Sequence, residues 1–179
     1  MYTLTMPGSS DNSKYSHPTF TSSPIELDPN APGTVIRWAF AIEAAFNVLG
    51  GGAMLFAPHK VLSLMSPSPS YITSQSETLM QLFGGLVAAL TAPLLLGLPN
   101  TRRGIESRQT VYWTLAVGEM ILLPIILVKA LGEGSKEAGL TSKSLLLATG
   151  GMLPPLLWRF YVFYVRPDWL GRYRDIKKD

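Results

Sequence analysis

Three ionisable side chains stand in stretches of the chain that are otherwise apolar: Glu43, Glu119 and Arg159. Each lies in a run of about twenty mostly uncharged residues, the length an α-helix needs to cross a bilayer. Ionisable groups at such positions are costly and are functional candidates by default. Two carboxyl groups supply acid–base chemistry when one donates a proton and the other accepts one. Arginine cannot give up its charge, so it needs a carboxylate or the headgroups. Glu43, Glu119 and Arg159 are therefore the candidate catalytic residues, with Glu119 as the acid and the other two tuning or orienting it. Asn47 and Tyr112 are the candidate substrate-binding residues. The competing reading is structural: an Arg159–carboxylate pair that sets helix register.

Other chemistries are thinly represented. The chain has no cysteine and two histidines, His17 and His59. Thiol catalysis, zinc–thiolate sites and iron–sulfur clusters are excluded, and no metal site is expected. No Gly-rich phosphate loop, HExxH or Ser/His/Asp set is found, and no cofactor is expected.

The elements that must carry these residues can be read from composition. Of 179 residues, 15% are charged, against about 25% in typical soluble domains. Mean hydropathy is +0.22. Four apolar segments follow one another, at about residues 35–56, 78–98, 110–128 and 144–165. Helices of a soluble bundle keep a charged outer face, and the run from Leu79 to Leu98 has none. The expected fold is all-α: a polytopic integral membrane protein with four transmembrane helices in an antiparallel bundle. Residues 1–33, rich in Ser, Thr and Pro, are expected to form a disordered tail. Residues 34–166 form the transmembrane domain, and 167–179 a basic tail. No signal-peptide pattern opens the chain.

Four spans put both termini and the middle connection, 101–109, on one side. That side holds Lys14, Arg37, Arg102, Arg103, Arg108, Arg166, Arg172, Arg174, Lys177 and Lys178, against Lys60, Lys136 and Lys143 opposite, with Lys129 close by. The positive-inside rule makes it the cytoplasmic side. The net charge of +3 is then the excess that flanks spans rather than a nucleic-acid footprint. The endoplasmic reticulum membrane is the default location.

A rise of 1.5 Å per residue places Glu43 about 12 Å deep, Glu119 about 14 Å and Arg159 about 9 Å, all from the same side. The three are expected to meet. The stripes Glu43/Asn47/Gly50 and Gln81/Gly84/Ala88 are expected to face the bundle interior, because i, i+4 and i+7 share a helix face and small residues let helices approach closely. Pro93, Pro124 and Pro154-Pro155 bend spans 2, 3 and 4. The connection 58–77, broken by prolines, is expected to be a loop with a solvated His59.

These features suggest a membrane-embedded enzyme of the isomerase or cyclase type, acting on a lipophilic small molecule such as a terpenoid. A non-catalytic membrane scaffold or accessory subunit is the alternative, and a small transporter a weaker one. The expected partners are the lipid bilayer, a lipophilic substrate and other membrane proteins, with no nucleic acid.

Overall fold

A computed structural model describes residues 25–132 and 139–175. Four long helices dominate it: α1 (Thr34–Phe56), α3 (Ser74–Gly97), α4 (Arg102–Leu131) and α5 (Ser142–Tyr164), with the short α2 (Pro58–Met65) between the first two. The start of each long helix is set locally. Thr73, Thr101 and Thr141 cap α3, α4 and α5 by accepting the backbone N–H of the residue three positions on, which satisfies an otherwise orphaned donor. The helix α1 begins after Gly33, whose φ of 69° lies in the left-handed region glycine tolerates. Pro58, Pro99 and Pro167 stand just beyond the ends of α1, α3 and α5, where a helix cannot easily continue.

All four long helices have the length and apolarity to cross a membrane, and only 17–22% of each apolar window is buried inside the protein. Large apolar side chains such as Phe46, Leu79, Val128 and Leu147 point outward. In water so much exposed apolar surface would be prohibitive. In hydrocarbon it is the expected outer face. The chain is an all-α, multi-pass membrane protein with a four-helix bundle.

The bundle is built from two antiparallel pairs. In the first, α1 and α3 cross at Gly51 and Gly84. A Cβ placed on Gly84 would lie 2.8 Å from the Gly51 carbonyl oxygen and 3.0 Å from the Leu55 nitrogen. At Gly50 a Cβ would meet nothing within 4 Å, and Ala88 is exposed. The contact glycine of α1 is thus Gly51, one residue beyond the expected stripe, since the α1–α3 approach lies about 100° around the helix from Gly50. In the second pair, α4 and α5 pack through Ala116, Leu123 and Leu156 and the stacked rings of Trp113 and Phe163, 4.4 Å apart.

A core of Ile36, Phe40, Ala44, Leu94, Val111, Tyr112 and Val162 joins the pairs near the end that carries both termini. That end is closed by two short strands, β1 (Ile25–Leu27) and β2 (Tyr173–Asp175), paired antiparallel with Leu27 opposite Tyr173. A 3-10 turn, Pro167–Leu170, packs Trp169 and Leu170 against the same core. Residues 25–33 therefore have defined structure, although the sequence reading assigned them to the tail. The rest of that tail, 1–24, and residues 176–179 lie outside the described residues. The connection read as a loop contains α2, because Pro58 at its first position suits a helix start and Leu62 is buried. The supposed middle loop is also helical: α4 begins at Arg102, so the connection between α3 and α4 shrinks to Leu98–Thr101.

These contacts separate two glycines that look alike in sequence. Gly84→Leu forces a side chain into backbone and should lower stability by at least about 1–3 kcal/mol. Gly50→Leu should leave thermal stability in detergent near that of the wild type. Thermal unfolding of the two purified variants, side by side, checks the assignment.

Candidate functional site

The three charged residues come together. Arg159 on α5 donates from Nη1 to Glu119 Oε2 on α4 and from Nη2 to Glu43 Oε1 on α1. One guanidinium therefore ties together three helices. Its fork of donors suits two carboxylates at once. The burial is uneven. The Arg159 side chain is 1% exposed, Glu119 13% and Glu43 22%. The arginine is sealed behind its partners, and the carboxyls lie nearer the bundle surface. Each carboxyl uses one oxygen on Arg159, and the second has no hydrogen-bond partner among the described residues. Arg159 Nε is buried and has no partner among them either.

Aromatic side chains set the position of the guanidinium. Its carbon lies 5.4 Å from the centroid of the Tyr112 ring, within cation–π range. Tyr112 is 1% exposed. Its ring packs against Phe40 at 5.0 Å and Phe163 at 6.1 Å, and its hydroxyl accepts a hydrogen bond from Trp158 Nε1 at 3.1 Å. Tyr112 thus forms the floor of the cluster rather than an open contact surface. Asn47, one turn along α1 from Glu43, is half-buried, and its side chain has no hydrogen-bond partner among the described residues. Gln81 is outside the cluster and donates to the Leu55 carbonyl at 3.1 Å.

A second buried arginine escaped the sequence reading. Arg108, counted there among the cations of a loop, is fully buried in the first turns of α4. It donates to the carbonyls of Gly97 (2.9 Å), Pro99 (3.3 Å) and Leu170 (2.9 Å) and to Asn100 Oδ1 (2.7 Å). A helix C-terminus leaves its last carbonyls without partners and carries partial negative charge. Arg108 answers both at the end of α3 and also holds the 3-10 turn. Gly33 and Gly171 lie against its guanidinium, where a Cβ would intrude. Nothing in the local sequence around Arg108 distinguishes it from the neighbouring Arg102 and Arg103. His59, read as solvated, is 67% exposed yet pairs with Glu77 at 2.7 Å, linking α2 to α3.

Among the described residues no three His, Asp or Glu side chains converge as a metal site would need. An apolar depression of about 130 Å³ lies between α3 and α4, lined by Leu90, Pro93, Thr110, Val111, Thr114 and Leu115. None of the cluster residues lines it.

Fold and site together define an integral, multi-pass membrane protein with a buried arginine shared by two glutamates. Comparison of the chain with known protein families, with curated proteins and with solved structures finds no match.

The cluster's energetics can be tested without a substrate. Arg159→Leu alone leaves two carboxyls without their counter-charge and should destabilise by about 3–5 kcal/mol, as for other broken buried pairs. The triple variant Arg159→Leu, Glu43→Gln, Glu119→Gln removes all three charges and should recover most of that loss. Thermal unfolding in one detergent, with folded yield by gel filtration, compares the two.

Proposed function

We propose that this chain is a membrane-embedded acid–base enzyme of the isomerase or cyclase type, acting on a lipophilic small molecule, with Glu43 and Glu119 as its proton-transfer pair. The observation that carries this reading is the asymmetry of the cluster. One carboxylate would balance Arg159, yet two are present, and in both the unpaired oxygen belongs to the side chain nearer the surface. With both carboxyls ionised the cluster has a net charge of −1, and with one proton it is neutral. An uncompensated charge in a helix span costs at least about 2.5–3.5 kcal/mol, which favours the form with one proton.

In that form one carboxyl can donate and the other accept. Glu119 gives its proton to a double bond or carbonyl of the substrate. Glu43 takes a proton from a neighbouring carbon, and the bond order shifts between the two sites. The cluster holds one proton before and after, first on Glu119 and then on Glu43, and exchange through a water between the accessible oxygens resets it. Arg159 is a positioning residue, holding both carboxyls toward one region. The expected result for Glu119→Gln is normal folding with loss of turnover. Untargeted profiling of lipid extracts from cells that make the protein should show the same accumulated species for Glu119→Gln as for the gene deletion. A wild-type profile from a well-folded Glu119→Gln protein would reject catalysis.

The second reading is a non-catalytic membrane scaffold or accessory subunit. It is favoured by the way one guanidinium bonds α4 and α1 to α5, and by the apolar depression lying away from the charges. Under it the deletion changes the profile and Glu119→Gln does not.

For location, we place both termini in the cytoplasm, with the endoplasmic reticulum as the default membrane. The Lys and Arg excess at the end holding Arg37, Arg102, Arg103, Arg166, Arg172 and Arg174 supports this orientation. In sealed microsomes, protease should remove tags from both termini. Protection of either tag would reverse or break the assignment.

A further inference from the structure

The apolar depression between α3 and α4 has a buried floor and an open rim. Val111 is buried, Leu90, Pro93 and Leu115 are half-buried, and Thr110 and Thr114 are exposed. Thr114 turns its hydroxyl back to the Thr110 carbonyl at 2.9 Å, so a group that could bind water is spent on the helix itself. The volume, about 130 Å³, is close to that of a cavity of about 150 Å³ that admits a benzene-sized guest. In hydrocarbon such a hollow is filled by a lipid chain, because an empty one forfeits dispersion contacts along its lining. Its shape therefore fixes where an acyl chain lies, and the groups beside it decide which lipid the chain belongs to.

Those groups are cationic. Arg103 stands seven residues before Thr110 and eleven before Thr114 on α4, within about 20° of both around the helix axis. It is exposed and about 10 Å from Thr110 along the axis. Each headgroup layer of a bilayer is about 5–8 Å thick. A phosphate held at Arg103 thus brings the first methylenes of its acyl chains to the level of Thr110, where the depression begins. At the same α3–α4 corner, Arg37 of α1 donates from Nε to the Leu98 carbonyl at 2.7 Å, and its terminal nitrogens have no hydrogen-bond partner among the described residues. The carboxylate in the first turns of α4, Glu106, is taken up by Arg102 Nε at 3.1 Å and by the Tyr173 hydroxyl. We infer that this groove binds one anionic phospholipid, its phosphate on Arg103 and Arg37 and one acyl chain in the depression. The planar fork of arginine suits phosphate oxygens. Anionic lipids are concentrated in the cytoplasmic leaflet, the side to which we assign this corner. The inference is separate from either reading of the glutamate cluster, since no cluster residue lines the depression.

The test uses the full chain in phosphatidylcholine nanodiscs doped with one of two photoreactive probes, a phosphatidylserine or a phosphatidylcholine carrying the same diazirine-bearing acyl chain. Mapped by peptide mass spectrometry, the serine probe should label residues 90–93 and 110–115 about fivefold more heavily than the choline probe does, and more heavily than the outward-facing Phe46 and Leu147. One basic residue near the surface is the equivalent of about that factor. Arg103→Gln should therefore bring serine-probe labelling down about fivefold, and Arg103→Lys should keep most of it. Thr114→Trp, filling the depression from its exposed rim, should reduce labelling there to the level at Phe46 and Leu147 with thermal stability retained. If that variant does not fold, the two Arg103 variants decide alone. Equal labelling of the depression by the two probes, labelling spread uniformly over the outer surface, or a folded Arg103→Gln protein that labels as the wild type does overturns the inference.

Discussion

Arg159 carries a charge it cannot shed, in a side chain that is 1% exposed in the middle of an apolar bundle. Carboxylates must come to it, and because its fork presents more than one edge, two helices can supply them. Glu43 from α1 and Glu119 from α4 do so. The α1–α3 pair is thereby joined to the α4–α5 pair through side chains, in addition to the packing of α3 on α4. In lipid there is little hydrophobic drive to bring helices together, so a charge that must be neutralised gives the assembly direction and register. Tyr112, Phe40 and Trp158 fix the guanidinium from below and leave the carboxyls toward the open side.

Arg108 solves a different problem with the same side chain. Its partners are carbonyls and one amide rather than carboxylates. The abrupt corner between α3 and α4 leaves carbonyl groups unpaired at the end of α3, and a single guanidinium collects several of them. By reaching Leu170 as well, it fastens the segment that follows α5 over the end of the bundle. The N-terminal strand then pairs with that segment. The closed end of the protein thus rests on one buried cation.

Much of this was legible in the residues. The four apolar runs predicted the spans, and a count of helical rise from one side predicted that Glu43, Glu119 and Arg159 would meet. Both arguments hold because length and depth are properties of a single helix, set by 1.5 Å per residue and by the thickness of hydrocarbon. The helix starts lie earlier than the apolar runs at 78, 110 and 144 suggest, at the capping residues Thr73, Thr101 and Thr141, because a polar first turn continues the helix beyond the apolar stretch.

What depended on rotation and on partners was not legible. Gly50 and Gly51 are neighbours in sequence, and only the α1–α3 crossing decides that Gly51 is the one in contact with Gly84. Tyr112 and Asn47 looked alike as polar residues within spans, yet one is the buried floor of the cluster and the other a half-buried amide without a hydrogen-bond partner among the described residues. Arg108 looked like a flanking cation until the turn of the chain brought the end of α3 to it. The sequence by itself determined how many helices cross and which charges lie at one depth. The tertiary structure decided which face of each helix is spent on packing and which is turned outward, because a side chain's surroundings come from other helices whose rotation no single run of residues encodes.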